Sequence, residues 1–240
     1  TYTLIPVLNG HMVNGVGNIE VASDGTMWMS TSHGASHYDP TEGVLGEWLE
    51  HLTTAEGLRS SGPAIPAIDH RDGSIWFGST EGPCHYRPAT GCVPVDPPGF
   101  TRYVTTVAAD HNGSVWFGSA GEAADVIRYM PGNSREWVTY THASGILPHP
   151  YVHDITVATD GSVWVGTPAG VARYSEGASP EWATFTAADG LADAGVVSIT
   201  EDENGSMWFG HSHGSGGGGA TYFPSQGAPI QLKPSPNGLA

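Results

Sequence analysis

Asp72-Gly73-Ser74-Ile75-Trp76-Phe77-Gly78 is the stretch whose reading decides the fold, because it recurs. Four further copies start at Asp24, Asn112, Asp160 and Asn204 and carry their tryptophans at Trp28, Trp116, Trp164 and Trp208. Each copy has Asp or Asn, then Gly, then two residues, then Trp. An Asp-Gly or Asn-Gly pair supplies the positive-φ positions that a tight hairpin turn needs, and an apolar-Trp-apolar run suits a strand buried on both faces. Each copy therefore reads as a turn feeding a strand.

The Trp-to-Trp spacings are 48, 40, 48 and 44 residues, near the period of about 40 to 50 residues expected of propeller blades. Four strands can be read per repeat: an innermost strand (Val152 to Val157 in the fourth copy), the turn and Trp strand, a third strand ending in Tyr, and a fourth that often carries a second Trp. Tyr38, Tyr86 and Tyr174 each fall ten residues after their Trp, whereas Tyr129 falls thirteen after and Tyr222 fourteen after. Repeats three and five thus carry insertions, Gly121 to Asp125 and Gly214 to Gly219. Outer-strand tryptophans are Trp48, Trp137 and Trp182; repeat two has the stiff segment Val93 to Pro98 instead. The expected fold is all-β, a five-bladed β-propeller with four-stranded antiparallel blades, forming a single domain over residues 1–240. Either terminus could finish the fifth blade: Tyr2-Thr3 looks like the end of an outer strand, and Asn237 to Ala240 matches Asp189 to Ala192.

Composition narrows the function. With 39% hydrophobic residues in 240, the chain can bury a sizeable core. A formal charge of −16 with Lys233 as its one lysine argues against nucleic acid or an anionic membrane surface as partner. No apolar run reaches the roughly 18 residues of a membrane span, and no charged-then-apolar leader precedes Thr1. A monomer with a small-molecule substrate or ligand is expected. If Arg87 to Gly91 is a hairpin turn, Cys84 and Cys92 could lie opposite one another and form a disulfide, as is common outside the cytoplasm; the alternative is two free thiols.

The residues also carry a resemblance. Asp160 to Thr167 (Asp-Gly-Ser-Val-Trp-Val-Gly-Thr), Gly170-Val171-Ala172-Arg173-Tyr174, Trp182, Phe185-Thr186 and Asp189-Gly190-Leu191 resemble the two-component regulator propeller repeat, found in periplasmic sensor parts of bacterial hybrid histidine kinases and distantly similar to the blades of streptogramin lyases. The resemblance spans nearly the whole chain. It implies a periplasmic or secreted propeller, and the matching positions are structural ones.

In a propeller the fourth-to-first and second-to-third strand loops open on one face, where function normally sits. His11, His142 and His149 fall in the former loops, His153 at the start of an innermost strand, and His33, His211 and His213 in the latter. Ser30 to Gly34 aligns with Gly210 to Gly214, which gives His33 and His213 the same place in their blades; Glu81 holds it in blade two. Imidazoles with a carboxylate are an ordinary zinc ligand set. The set His11, His33, Glu81, His149, His153, His211 and His213 is therefore expected to hold a divalent metal, zinc above all. Asp154 or Glu20 would act as general base or orient a ligand imidazole. The corresponding function is a divalent-metal-dependent hydrolase of an ester or phosphoester. Other readings stand beside it, among them a scaffold for protein interaction. A glycosidase would use Glu20, Asp69 and Asp154, and a non-catalytic ligand-binding sensor is what the resemblance implies. Taken singly, each histidine reads as a solvated loop residue.

Overall fold

The computed structural model describes residues 15–42, 46–99, 103–120, 125–132, 136–177, 181–212, 218–225 and 228–232. Among them, twenty strands make five four-stranded sheets. The first is β1 (Ile19–Val21), β2 (Met27–Thr31), β3 (Gly34–Asp39) and β4 (Glu47–Leu52); the second is β5 (Ile65–Ile68), β6 (Ile75–Gly78), β7 (Cys84–Arg87) and β8 (Gly91–Pro94). The third is β9 (Val104–Ala109), β10 (Val115–Ser119), β11 (Val126–Tyr129) and β12 (Trp137–Tyr140). The fourth is β13 (Asp154–Val157), β14 (Val163–Thr167), β15 (Gly170–Ser175) and β16 (Glu181–Phe185), and the fifth β17 (Val196–Glu201), β18 (Met207–His211), β19 (Gly219–Phe223) and β20 (Ile230–Leu232). Each sheet runs in chain order, the antiparallel meander of a propeller blade, and the fold class is the expected five-bladed β-propeller. Among the described residues β20 supplies the outer strand of the fifth sheet; Tyr2-Thr3 and Asn237 to Ala240 lie outside them.

The chain divides into two compact units, Thr1–Val115 and Trp116–Ala240. Trp28, Leu52, Ile68, Phe77 and Tyr86 are buried together in the core of the first. Trp164, Val171, Leu191, Val196 and Phe209 are buried together in the second. The Trp strands β6, β10 and β14 are buried along their whole length, as a strand covered on both faces must be.

The repeated turn is held by its first residue. The Oδ1 atoms of Asp24, Asp72 and Asp160 accept from the backbone N–H two residues on, at Thr26, Ser74 and Ser162, and the following glycines take the left-handed φ that a Cβ would oppose, +88° at Gly25, +70° at Gly73 and +80° at Gly161. In repeats three and five the capping carboxylate comes from upstream. Asp110 accepts from Asn112 and Ser114, and Asp202 from Asn204 and Ser206.

Each Trp is covered from strand three of its own blade. The residues across from Trp28, Trp76, Trp164 and Trp208 are His37, His85, Arg173 and Tyr222. The imidazoles of His37 and His85 stack on their indoles at 4.3 and 4.0 Å. The guanidinium of Arg173 lies over Trp164 at 5.1 Å, and that of Arg128 over Trp116 at 5.0 Å. The residue after this cover is aromatic and reaches back to the Trp of the preceding blade: Tyr86 to Trp28 (5.4 Å), Tyr174 to Trp116 (5.1 Å) and Phe223 to Trp164 (5.5 Å). This register corrects the fifth repeat. Tyr222 holds the place of His37, and Phe223, not Tyr222, holds that of Tyr38. One residue of slip exchanges the two faces of a strand.

The glycine that closes the repeated stretch marks a close approach. A Cβ on Gly78 would meet Val104 Cγ1 at 2.4 Å and Val107 Cγ2 at 2.6 Å, both on the next blade's first strand, and one on Gly166 would meet Val196 at 3.1 Å. Overfilling such a contact costs about 1–3 kcal/mol. Gly78→Ala is therefore expected to lower the urea midpoint by an amount in that range, while Gly177→Ala, where nothing lies within 4 Å, leaves it unchanged; parallel denaturation curves check both.

Candidate functional site

The loops between strands two and three, and between one blade and the next, carry most of the residues singled out above. In the first unit His33 sits exposed in the β2–β3 turn, its Nδ1 2.9 Å from Ser32 Oγ. Glu81 sits exposed in the β6–β7 turn, with its backbone N–H on Ser79 Oγ. Glu81 borders a cavity of about 130 Å³ whose other polar walls are Arg59 and Asp96. Arg59 is fixed there by its bonds to Val95 O (2.9 Å) and Asp96 Oδ1 (2.7 Å). Arg59 carried no sequence signal, since the carboxylate that positions it lies 37 residues away.

In the second unit the linker into blade four gathers several polar groups. His142 donates its backbone N–H to Asp125, and its Nδ1–H to Leu147 O at 2.7 Å. His149 Nδ1 accepts from Tyr151 N at 3.0 Å, and the His142 and His149 rings lie 6.5 Å apart. Tyr151 is exposed and packs edge-on against His153 at 5.0 Å. His153 Nδ1 must carry its proton, because the partner at 2.8 Å is the Val196 carbonyl, which can only accept. Asp125 is 2% exposed, and burial, only partly offset by the His142 N–H, pushes its carboxyl above the usual range.

The two expected acid-base residues are placed on first strands. Asp154 Oδ2 accepts from Ile199 N at 2.7 Å, tying β13 to β17. Glu20 lies across from Trp28 on β1, half-buried. Asp69 is bound by Arg71 through both carboxylate oxygens, which holds its carboxyl below the usual range. His211 is 8% exposed in β18, with Nε2 2.7 Å from Thr221 Oγ1. His11 and His213 lie outside the described residues. Among the described residues no group of three or more His, Cys, Asp or Glu side chains is placed to hold a metal ion.

The model of the two-component regulator propeller family matches residues 190–213, which run from the end of blade four through β18. The match covers part of one of the five repeats. Regulator propellers are also among the solved structures it resembles. The extracellular domain of one hybrid two-component system of B. thetaiotaomicron has a TM-score of 0.71 at 18% identity, over 93% of this chain and 32% of that one. A second such domain from the same organism gives 0.71 at 20%, over 94% and 28%. Virginiamycin B lyase from Staphylococcus aureus gives 0.70 at 18%, over 94% and 72%. At these identities the likeness is one of fold, and the chain spans about a third or less of the two regulator domains. No curated protein sequence matches it significantly. No helix among the described residues is long and apolar enough to cross a membrane.

These findings overturn the expectation of a divalent-metal-dependent hydrolase. The one family match is to the regulator propeller repeat, at residues 190–213, and no metal-binding group forms among the described side chains. The physical reason is that the described imidazoles are engaged one at a time by neighbours of their own: Ser32 at His33, Tyr151 N–H at His149, the Val196 carbonyl at His153 and Thr221 at His211.

Burial lowers the pKa of His211, and burial followed by the nearby Arg87 charge lowers that of His85. A base whose folded-state pKa is depressed binds fewer protons when folded than when unfolded, so stability is full above the unfolded value near 6.5 and falls as pH drops below it. Urea midpoints are expected to decline from pH 7.5 to pH 5.5, and His211→Gln to decline less over the same range.

Proposed function

We propose that the chain is a non-catalytic ligand-binding sensor module of the two-component regulator type, one propeller domain over residues 1–240 that works in the periplasm or outside the cell on a small-molecule ligand. The observation that carries this reading is the regulator propeller repeat at residues 190–213, since the positions that recur through the chain are those of turn, indole and cover. Support for the compartment comes from the Cys84–Cys92 disulfide, with Cα atoms 5.7 Å apart, a bond favoured in oxidising compartments, and from the extracellular regulator domains that share the fold.

The loop faces suit recognition without chemistry. Arg59 beside Glu81, and Tyr151 beside His153, offer donors, acceptors and an exposed ring on backbone held by short strands. A ligand that binds only the folded state stabilises it by about 2.7 kcal/mol at a hundredfold excess over Kd, or roughly 5–10 °C in Tm for a domain of this size. Thermal melts of the chain against a panel of small metabolites are expected to yield a compound that raises Tm by that order and is recovered chemically unchanged. A compound that is instead converted to product on incubation would overturn the sensor reading.

A further inference from the structure

The groove between the first and second sheets differs from its counterparts in its charges. In blade four the turn aspartate is neutralised by the cover of its own Trp: Arg173 lies over Trp164 and its Nη2 reaches Asp160 Oδ2 at 2.9 Å. Blade two reaches the same result with two residues. His85 covers Trp76, and Arg87 bonds both His85 Nδ1 (3.1 Å) and Asp72 Oδ2 (3.0 Å). Blades three and five carry the neutral Asn112 and Asn204 at this place and need no cation.

Blade one has the aspartate without the guanidinium. His37 covers Trp28, as Arg173 covers Trp164, but its Nε2 stops at Thr26 Oγ1, 2.9 Å away. The residue two further on, where blade two has Arg87, is Asp39. Asp24 keeps only its bonds from Thr26, both to Oδ1, and no cationic side chain among the described residues is within ion-pair distance of it. A second carboxylate is added here that blade four lacks: Glu50 stands across from His37, where Ala183 stands across from Arg173. Glu50 is half-buried, 3.3 Å from His37 Nδ1, and accepts from Tyr86 Oη at 2.7 Å. Burial works against its charge, and the bonds from His37 and Tyr86 outweigh it, so its carboxyl lies below the usual range. Asp24 is lowered too, by the Thr26 N–H first. Both are ionised at neutral pH.

Between these groups lies a cavity of about 210 Å³ lined by Asp24, Thr26, Trp28, His37, Glu50 and Tyr86 among others. That is room for roughly seven waters, enough for the head of a small cation and less than the roughly 300 Å³ or more of a drug-sized site. We propose that this groove binds a small organic cation bearing a guanidinium or primary ammonium head, which takes the place that the arginine tip fills in blades two and four. The head would bond the free Oδ2 of Asp24 and the carboxylate of Glu50 against the aromatic walls of His37 and Tyr86, a setting that favours cations over their neutral isosteres. The site lies at the opposite end of β2 from the loop that carries His33, so it stands independently of the sensor reading.

The test is an NMR titration of the full chain with methylguanidinium chloride at constant ionic strength, following the Trp28 indole N–H, with methylurea as the neutral isostere. A saturable shift with methylguanidinium and none with methylurea is expected. Asp24→Asn should weaken binding about tenfold or more; asparagine already occupies this turn position at Asn112 and Asn204, so the turn tolerates it. His37→Arg supplies the guanidinium from within and should abolish the response while raising Tm. A shift that never saturates, an equal response to methylurea, or unchanged affinity in either variant would overturn the proposal.

Discussion

An indole held from two sides is the contact on which the rest of the chain depends. Within each compact unit, the Trp of one blade lies under a cation, imidazole or ring from its own third strand and against the aromatic residue that the next blade's third strand presents. On each third strand the residue that covers its own Trp and the one that reaches the preceding blade's Trp are consecutive, such as His85 followed by Tyr86, and point to opposite faces. One blade therefore covers itself with the first and grips its predecessor with the second. A buried ring of this size contributes most of its stabilisation through area removed from water, and a stacked cation adds about 0.5–2 kcal/mol.

Scarce positive charge is spent around the same contact. Arg71 binds Asp69 and the backbone of Asn112, Arg87 binds Asp72, Arg173 binds Asp160, and Arg128 lies buried over Trp116 while pairing with Glu176. Exposed pairs of this kind add little by themselves. At Asp72 and Asp160 the effect is local: the guanidinium holds Oδ2 in place while Oδ1 caps the turn. Elsewhere a carboxylate can do the linking alone, as Glu201 does by accepting both the backbone N–H and the hydroxyl of Thr159 on the neighbouring turn at 2.8 Å.

The fold was legible because its determinants are local and repeated. Asp-Gly turns, a buried Trp run and a spacing near 45 residues each follow from a few consecutive side chains, and agreement among five copies removes most ambiguity. The site was legible only in part. Sequence places His149, His153 and His211 on or near one end of the strands, but which atom an imidazole bonds depends on groups such as the Val196 carbonyl, 43 residues from His153. The fifth repeat shows the same limit on a smaller scale. Aligning tyrosine with tyrosine put Tyr222 in the wrong column, because the insertion shifts the strand by one position and residue type is a weaker guide than pleat. The Asp24 groove escaped notice for a related reason: five equal turns conceal the one whose counter-charge is missing until the third-strand neighbours are compared.

The disulfide has a meaning beyond compartment. Cys92 stands opposite Tyr86, in the register that gives Trp48 to Tyr38, Trp137 to Tyr129 and Trp182 to Tyr174. Blade two thus fastens its outer strand with a sulfur bridge to Cys84 where those blades lean on a second indole. A thiol reductant acts on that seam and on no comparable one among the described residues, so the outermost edge of the second blade is where a change in ambient redox poise would first be felt.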